Sequence, residues 1–216
     1  MKPERDLVGP GIDPLLSDDP GIWDRLIEAI GPASMLVIIN ARMGASLRRR
    51  FAAEDVWQET LLNAWRDRAT CEWRGIKSFR RWLLEIIENR LRNLAESEGA
   101  RKRGGGSNPV LFSALQAPSG SAASEASGDH FAGPVTSTTP SRAASYQEEA
   151  RAMQEALDKV PEEAREVLRL RLFEELAMER VAERLGLGLS AAKHRFRKAF
   201  ETYHQHLKAA LDSRTR

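Results

Sequence analysis

The sequence predicts an all-α protein of two small helical domains joined by a long disordered linker. Three observations predict it. Apolar residues recur three and four positions apart on both sides of the chain, and almost none alternate at two. Between residues 104 and 146 only Glu125, Asp129 and Arg142 are charged, and the few large apolar residues (Val110, Leu111, Phe112, Leu115, Phe131) show no period. Such a tract buries too little to offset its ordering entropy. Near the C-terminus, a short helix ending at Gly186 is followed by a basic one, the pattern of a helix-turn-helix. The expected divisions are a flexible segment over 1–20, helical domains over 21–98 and 147–212, and a linker over 99–146.

In the first domain, Ile22 to Ile30 and Ala33 to Met43 are helical candidates separated by Gly31 and Pro32. Glu54 to Arg66 is amphipathic, with Val56, Leu61, Ala64 and Trp65 inward and Asp55, Gln58 and Glu59 facing elsewhere. A helix from Ser78, its expected N-cap, carries Phe79, Trp82, Leu83, Ile86, Ile87, Leu91 and Leu94 on one face. A bundle of about four helices results. Within the linker, Val110 to Leu115 could form one transient turn. In the second domain, Gln147 to Lys159 leads to Pro161, suited to the first turn of the next helix. Val167, Leu168, Leu170, Leu172 and Phe173 form that helix's core stripe. The segment MERVAERLG follows, in which Ala182 is small where two helices approach and Gly186 supplies the turn. A basic helix runs from about Ser190 to Leu211.

The chain has 216 residues, 33 Lys and Arg against 31 Asp and Glu, and a net charge of +2. That near-balance argues against a nucleic-acid ligand until it is counted by segment. Residues 66–103 and 186–216 each carry +5, and acidic stretches elsewhere mask them. Two basic blocks, one on the helix that a helix-turn-helix presents to the major groove, are the distribution phosphate contacts require. The first is interleaved with Trp73, Phe79 and Trp82, rings suited to stacking on unpaired bases. Phe79 and Trp82 also lie on the apolar stripe, which favours a core role; Trp73 precedes the helix in a loop.

The chemistry inventory for an enzyme is thin. Cys71 is the sole cysteine, so no intramolecular disulfide can form, which fits a reducing compartment and a cytoplasmic protein. No CxxC or HExxH spacing exists, and His204 and His206, two apart on a helix, diverge. GGGSNP follows no strand and lacks the Lys and Ser/Thr pair of a phosphate loop. No cofactor, metal or catalytic residue is expected. No apolar run approaches a membrane span, and the opening MKPERDLVGPGIDP lacks the apolar core of a secretory signal.

The stretch AEDVWQETLLNAWRD, followed by SFRRWLLEIIENRLRN, resembles region two of the extracytoplasmic-function sigma factors of bacterial RNA polymerase. VPEEAREVLRLRLFEELAMERVAERLGLGLSAAKHRFRKAFE resembles their region four, and the order and intervening linker agree. The resemblance implies that Asp55, Gln58 and Glu59 dock on the clamp coiled coil of the polymerase's largest β-type subunit, with Trp65 adding apolar area. By themselves these residues read as a solvated acidic face. It implies that the loop from Arg68 to Lys77, with Trp73, Arg74 and Lys77, holds a base flipped from the minus-ten element. Arg81, Asn89, Arg90, Arg92 and Asn93 would meet the non-template strand there.

At the minus-thirty-five element, Lys193, Arg195 and Arg197 match basic positions of the family's recognition helix. Outward direction favours Lys193, His194 and Arg197, with Ser190 and Lys198 beside them and Arg171 as a phosphate contact. The family usually caps this helix with Ser or Thr and follows with Thr-Val, whereas this chain has Gly188, Leu189, Ser190, Ala191 and Ala192. A Gly cap costs only a few tenths of a kcal/mol, so the departure bears on base preference rather than fold. The partners implied are core RNA polymerase and promoter DNA, with an anti-sigma factor as a further candidate. The competing reading, a helix-turn-helix regulator that binds duplex DNA without acting as a sigma subunit, explains the second domain but not the first.

Overall fold

The computed structural model describes residues 13–17, 19–102 and 140–214, and among these the regular structure is entirely helical. The tract 103–139, with the turn proposed for Val110 to Leu115, lies outside the described residues, as do residues 1–12. Nine α-helices are present in the described parts: α1 Pro20–Ile30, α2 Pro32–Arg42, α3 Ala45–Arg48, α4 Ala53–Arg66, α5 Ile76–Lys102, α6 Pro140–Asp158, α7 Glu162–Leu168, α8 Met178–Arg184 and α9 Leu189–Arg214. They fall into two units, one holding α1, Arg42 and α3 to α5, the other residues 31–41, most of α2, with α6 to α9.

In the first unit, α5 is the organising element, with α1, α3 and α4 packed along it. Its buried face carries Phe79, Leu83, Leu84, Ile87, Leu91 and Leu94, while Trp82 and Ile86 are only half-buried. Three Arg–Glu pairs tie it to its neighbours: Arg42 to Glu88 at 2.6 Å, Glu59 of α4 to Arg90, and Arg50 to the buried Glu98. Arg80, also buried, donates to the Ile30 carbonyl at the end of α1, where helix carbonyls lack intrahelical donors. The helix begins at Ile76 rather than at Ser78. Gly75, at φ +96°, turns the chain, and its carbonyl accepts from the N–H groups of Ser78 and Phe79 at 3.1 and 3.2 Å.

Other boundaries differ from expectation for physical reasons. In the segment expected to be flexible, Asp13 caps the turn Pro14–Leu16 by accepting from the Leu15 N–H at 2.9 Å, and Leu15 is buried. Helix α6 begins at Pro140, seven residues earlier than expected. Proline suits a first helical position, and the following SRAAS needs no buried face to continue a helix that Ala152, Ala156 and Leu157 anchor. The buried line of α4 is Ala53, Val56, Trp57, Thr60 and Ala64; Leu61 and Trp65, expected inward, are half-buried. Thr60 joins the core because its hydroxyl donates to the Val56 carbonyl at 2.7 Å. Residues 31–41, most of α2, group with the second unit, and Met35 to Ile39 are all buried.

The second unit is built on a core of Val167, Leu170 and Val181, with Leu176, Leu185, Leu187 and Phe196 packed against it. Pro161 precedes α7 instead of opening it. After Leu168 the backbone widens into a π-type turn, Arg169–Phe173, closed by the Glu174 N–H on the Arg169 carbonyl at 3.1 Å. This widening leaves Leu172 half-buried while Leu170 and Phe173 stay in the core. Helix α8 ends in a Schellman motif: the N–H groups of Gly186 and Leu187 bond the carbonyls of Glu183 and Ala182 at 3.2 and 2.9 Å, with Gly186 at φ +62°. Ala182 is buried at this turn.

Candidate nucleic-acid and polymerase interfaces

Helix α4 turns Asp55, Gln58, Leu62 and Arg66 to solvent, positions that follow one line along its surface. Asp55 also accepts from the Ala52 N–H at 3.3 Å, half of a capping box. Glu59 sits differently from its neighbours: it is half-buried and ion-paired with Arg90 of α5. Trp65 is half-buried too, edge-on to Trp23 at 5.2 Å. The Arg68 guanidinium lies 3.9 Å from its ring centroid and donates to the Trp65 carbonyl at 2.8 Å. The exposed apolar residue of this face is Leu62, 43% accessible, which sequence reasoning missed. Its spacing of four from Gln58 and seven from Asp55 was the available signal.

After α4 the chain makes a tight turn, Arg68–Thr70, in which the Thr70 hydroxyl donates to the Asp67 carbonyl at 2.7 Å. The hydrogen bond from Arg66 holds the Asp67 carboxyl below its usual range. Cys71 is buried, and burial, followed by the charges of Asp13 and Glu85, pushes its thiol up to about 11, so it stays protonated and unreactive. Trp73 is half-buried, its ring 6.2 Å from Phe79; Trp82 lies 5.9 Å from the same ring. Arg74 is exposed and paired with Glu72 at 2.7 Å.

Along α5, Lys77, Arg81, Asn89, Arg92 and Asn93 are exposed, and Arg92 donates to the Asn89 side-chain oxygen at 3.2 Å. Glu85, Glu88 and Glu96 are exposed on the same helix. Arg80 and Arg90 are committed internally and Arg66 is paired with Asp67 at 2.9 Å. The pairs with Asp67 and Glu72 lie inside the block and leave its net +5 unchanged, but exposed acids interrupt its basic surface.

The second basic block is different. Ser190, Lys193, His194, Arg195, Arg197 and Lys198 of α9 are all exposed, and no acidic residue occurs in the helix before Glu201. Ala192, Phe196, Ala199 and Tyr203 face inward, the last edge-on to Phe173 at 6.1 Å. The first turn of α9 is closed by the Ala192 N–H on the Gly188 carbonyl at 2.9 Å, so Gly188 holds the cap position without a side-chain bond. Arg171 is exposed and donates to the Leu176 carbonyl at 2.9 Å.

Beneath the motif, Arg169 bonds Glu166 and, at 2.8 Å, the buried Glu174, whose other oxygen lies 3.7 Å from Arg184 of α8. Burial opposes the Arg169 charge, but the bond to Glu166 and the charges of Glu166 and Glu174 outweigh it and raise its pKa. This network braces α8 against the π-type turn. Among the described residues there is no His, Cys, Asp and Glu cluster able to hold a metal, and no helix is long and apolar enough to cross a membrane.

No curated protein matches the chain. A family model of sigma-70 region 2 matches residues 39–101, and one of sigma-70 region 4 matches residues 156–202. The two occur in order, account for just over half of the chain, and coincide with the helices that carry the two candidate interfaces. The chain belongs to the sigma-70 superfamily and is a sigma factor, a transcription-initiation protein that recognises promoters.

Proposed function

We propose that this sigma factor is of the extracytoplasmic-function type, acting in the cytoplasm, and that it binds core RNA polymerase, places it on promoters and melts the minus-ten element. Residues 21–98 serve as region two and 147–212 as region four, with 99–146 as the tether. The single observation that carries this reading is the uninterrupted basic surface of α9, Lys193 to Lys198, in a chain whose other matched part is region two. A base-reading helix attached to a polymerase-docking module has one economical use, which is initiation.

The docking face is Asp55, Gln58 and Leu62 of α4, with Glu59 and Trp65 shaping it from behind. Acidic and amide groups suit a basic partner helix, and Leu62 supplies the apolar anchor. At the minus-ten element, Trp73 stacks on an extruded base, and Arg74, Lys77, Arg81, Asn89, Arg92 and Asn93 steady the single strand. Arg90 contributes by holding Glu59. At the minus-thirty-five element, α9 enters the major groove, with Ser190, Lys193, His194, Arg195, Arg197 and Lys198 reaching bases or phosphates, and Arg171 reaching a phosphate.

The test is co-elution with core polymerase in the absence of DNA, followed by run-off transcription with start-site sequencing. Retention by core and defined start sites are expected, and Asp55→Ala with Leu62→Ala should lower retention. A protein that binds duplex DNA yet never co-elutes with core is a helix-turn-helix regulator, and the proposal then fails.

A further inference from the structure

The first unit contains a continuous set of aromatic rings, one of which, Trp23, lies outside the region 2 match. Trp23 of α1 is 2% exposed, and its ring meets two others edge-on: Trp65 of α4 at 5.2 Å and 78°, and Phe79 of α5 at 5.8 Å and 74°. Phe79, fully buried, in turn touches Trp73 at 6.2 Å and Trp82 at 5.9 Å. One ring therefore supports both the tryptophan behind the α4 docking face and, through one intermediary, the tryptophan of the loop. The match begins at residue 39, so nothing in the family comparison assigns Trp23 a role.

We infer that Trp23 is a positioning residue that fixes the Trp73 ring, through Phe79, in the orientation that receives an extruded base. The inference rests on the reading of Trp73 as a stacking residue. The edge-to-face Trp23–Phe79 pair has a preferred geometry, so the Trp23 edge limits the tilt of Phe79, and Phe79, whose ring meets Trp73 at 52°, limits the space open to Trp73. Trp73 is only half-buried, so part of it stays accessible to a base although it is in contact with Phe79. A stacking platform is effective when its orientation is set before the base arrives, because the ordering cost is then already met. The same edge on Trp65 makes α1 a shared support for the polymerase side and the DNA side of this unit.

Two measurements test it. In full-length protein labelled with 5-fluorotryptophan, each fluorine signal is assigned by a Trp→Phe substitution. Trp23→Leu is expected to shift the Trp73 signal and leave that of Trp57, outside this set of rings, in place. Trp23→Phe, which keeps an aromatic edge, should restore the Trp73 signal. A Trp73 signal unmoved by Trp23→Leu overturns the inference.

The second measurement is permanganate reactivity of the promoter bubble with core polymerase, on a promoter located by start-site mapping. Trp23→Leu and Trp73→Ala should each lower it about tenfold, within the range for loss of one base stack. The double variant should fall no further than Trp73→Ala alone. Effects that multiply, or a loss of core binding equal to the loss of opening in Trp23→Leu, overturn the inference. An unaffected bubble in Trp73→Ala together with a shifted fluorine signal refutes Trp73 as the DNA contact while supporting the ring coupling.

Discussion

Two residues flanking α8 occupy the left-handed region, Glu175 at φ +56° and Gly186 at φ +62°. The conformation costs an L-residue roughly 1–2 kcal/mol and glycine almost nothing. Gly186 has no atom near the position of an added Cβ, so Gly186→Ala should cost about 1 kcal/mol from backbone strain alone. Glu175→Gly should relieve strain of similar size, offset in part by the greater freedom of an unfolded glycine. Urea midpoints are expected to fall for the first variant and to rise or hold for the second; a large fall in Glu175→Gly would disprove the strain argument. Tyr203 gives a pH signature. Burial, followed by the charge of Glu149, raises its phenol from 10.0 to about 12, so the folded state keeps a proton that the unfolded chain loses. Its contribution is whole below pH 10 and fades as the pH climbs from 10 through 12. Wild-type protein should lose stability over that window faster than Tyr203→Phe, and parallel unfolding curves would exclude the effect. Gly186 was legible in the sequence because glycine announces its backbone; Glu175 was not, since nothing in a glutamate's chemistry signals a positive φ.

At the scale of elements, α4 shows how a helix divides its outward residues between partners. Asp55 and Gln58 meet solvent, while Glu59, one residue on, is paired with Arg90. Gln58→Ala should therefore weaken polymerase retention and leave the melting temperature unchanged. Glu59→Ala should lower both, because it strands a half-buried guanidinium. Thermal melts read beside co-elution distinguish them, and an unaltered melt in Glu59→Ala would show the pair to be idle. Periodicity locates α4 and α5 but sets the α4 stripe on Leu61 and Trp65, where the buried residues are Trp57 and Thr60. The pairing of Glu59 with Arg90 was out of reach of spacing, because it joins residues 31 apart on two helices. On α9, by contrast, Lys193, His194, Arg197 and Lys198, expected outward, are exposed, and so is Arg195. Arg197→Glu should abolish initiation from closed duplex promoters and spare core binding, and equal loss of both would refute the division of roles between the units.

Over the whole molecule, the two basic blocks looked alike when counted and differ when seen. The first sets exposed Glu85, Glu88 and Glu96 among exposed Lys77, Arg81 and Arg92, while the second presents its bases with no acid before Glu201. The salt sensitivity of duplex binding should accordingly follow α9, with each phosphate contact removed there flattening the slope by about 0.9. Charge counting gives both blocks the same +5, because a sequence count does not record how acids and bases share a surface. Helix α5 carries a last consequence. It is one uninterrupted rod of 27 residues, about 40 Å long, and its glutamates and arginine at 88, 90 and 98 engage Arg42, Glu59 and Arg50. A helix of this kind keeps phase: one inserted residue before Glu88 would rotate all three by about 100° at once, whereas seven would return them to within about 20° of their azimuth but about 10 Å too far along. Chain length within α5 is thereby locked to its neighbours, and substitutions rather than insertions are the changes this rod can absorb.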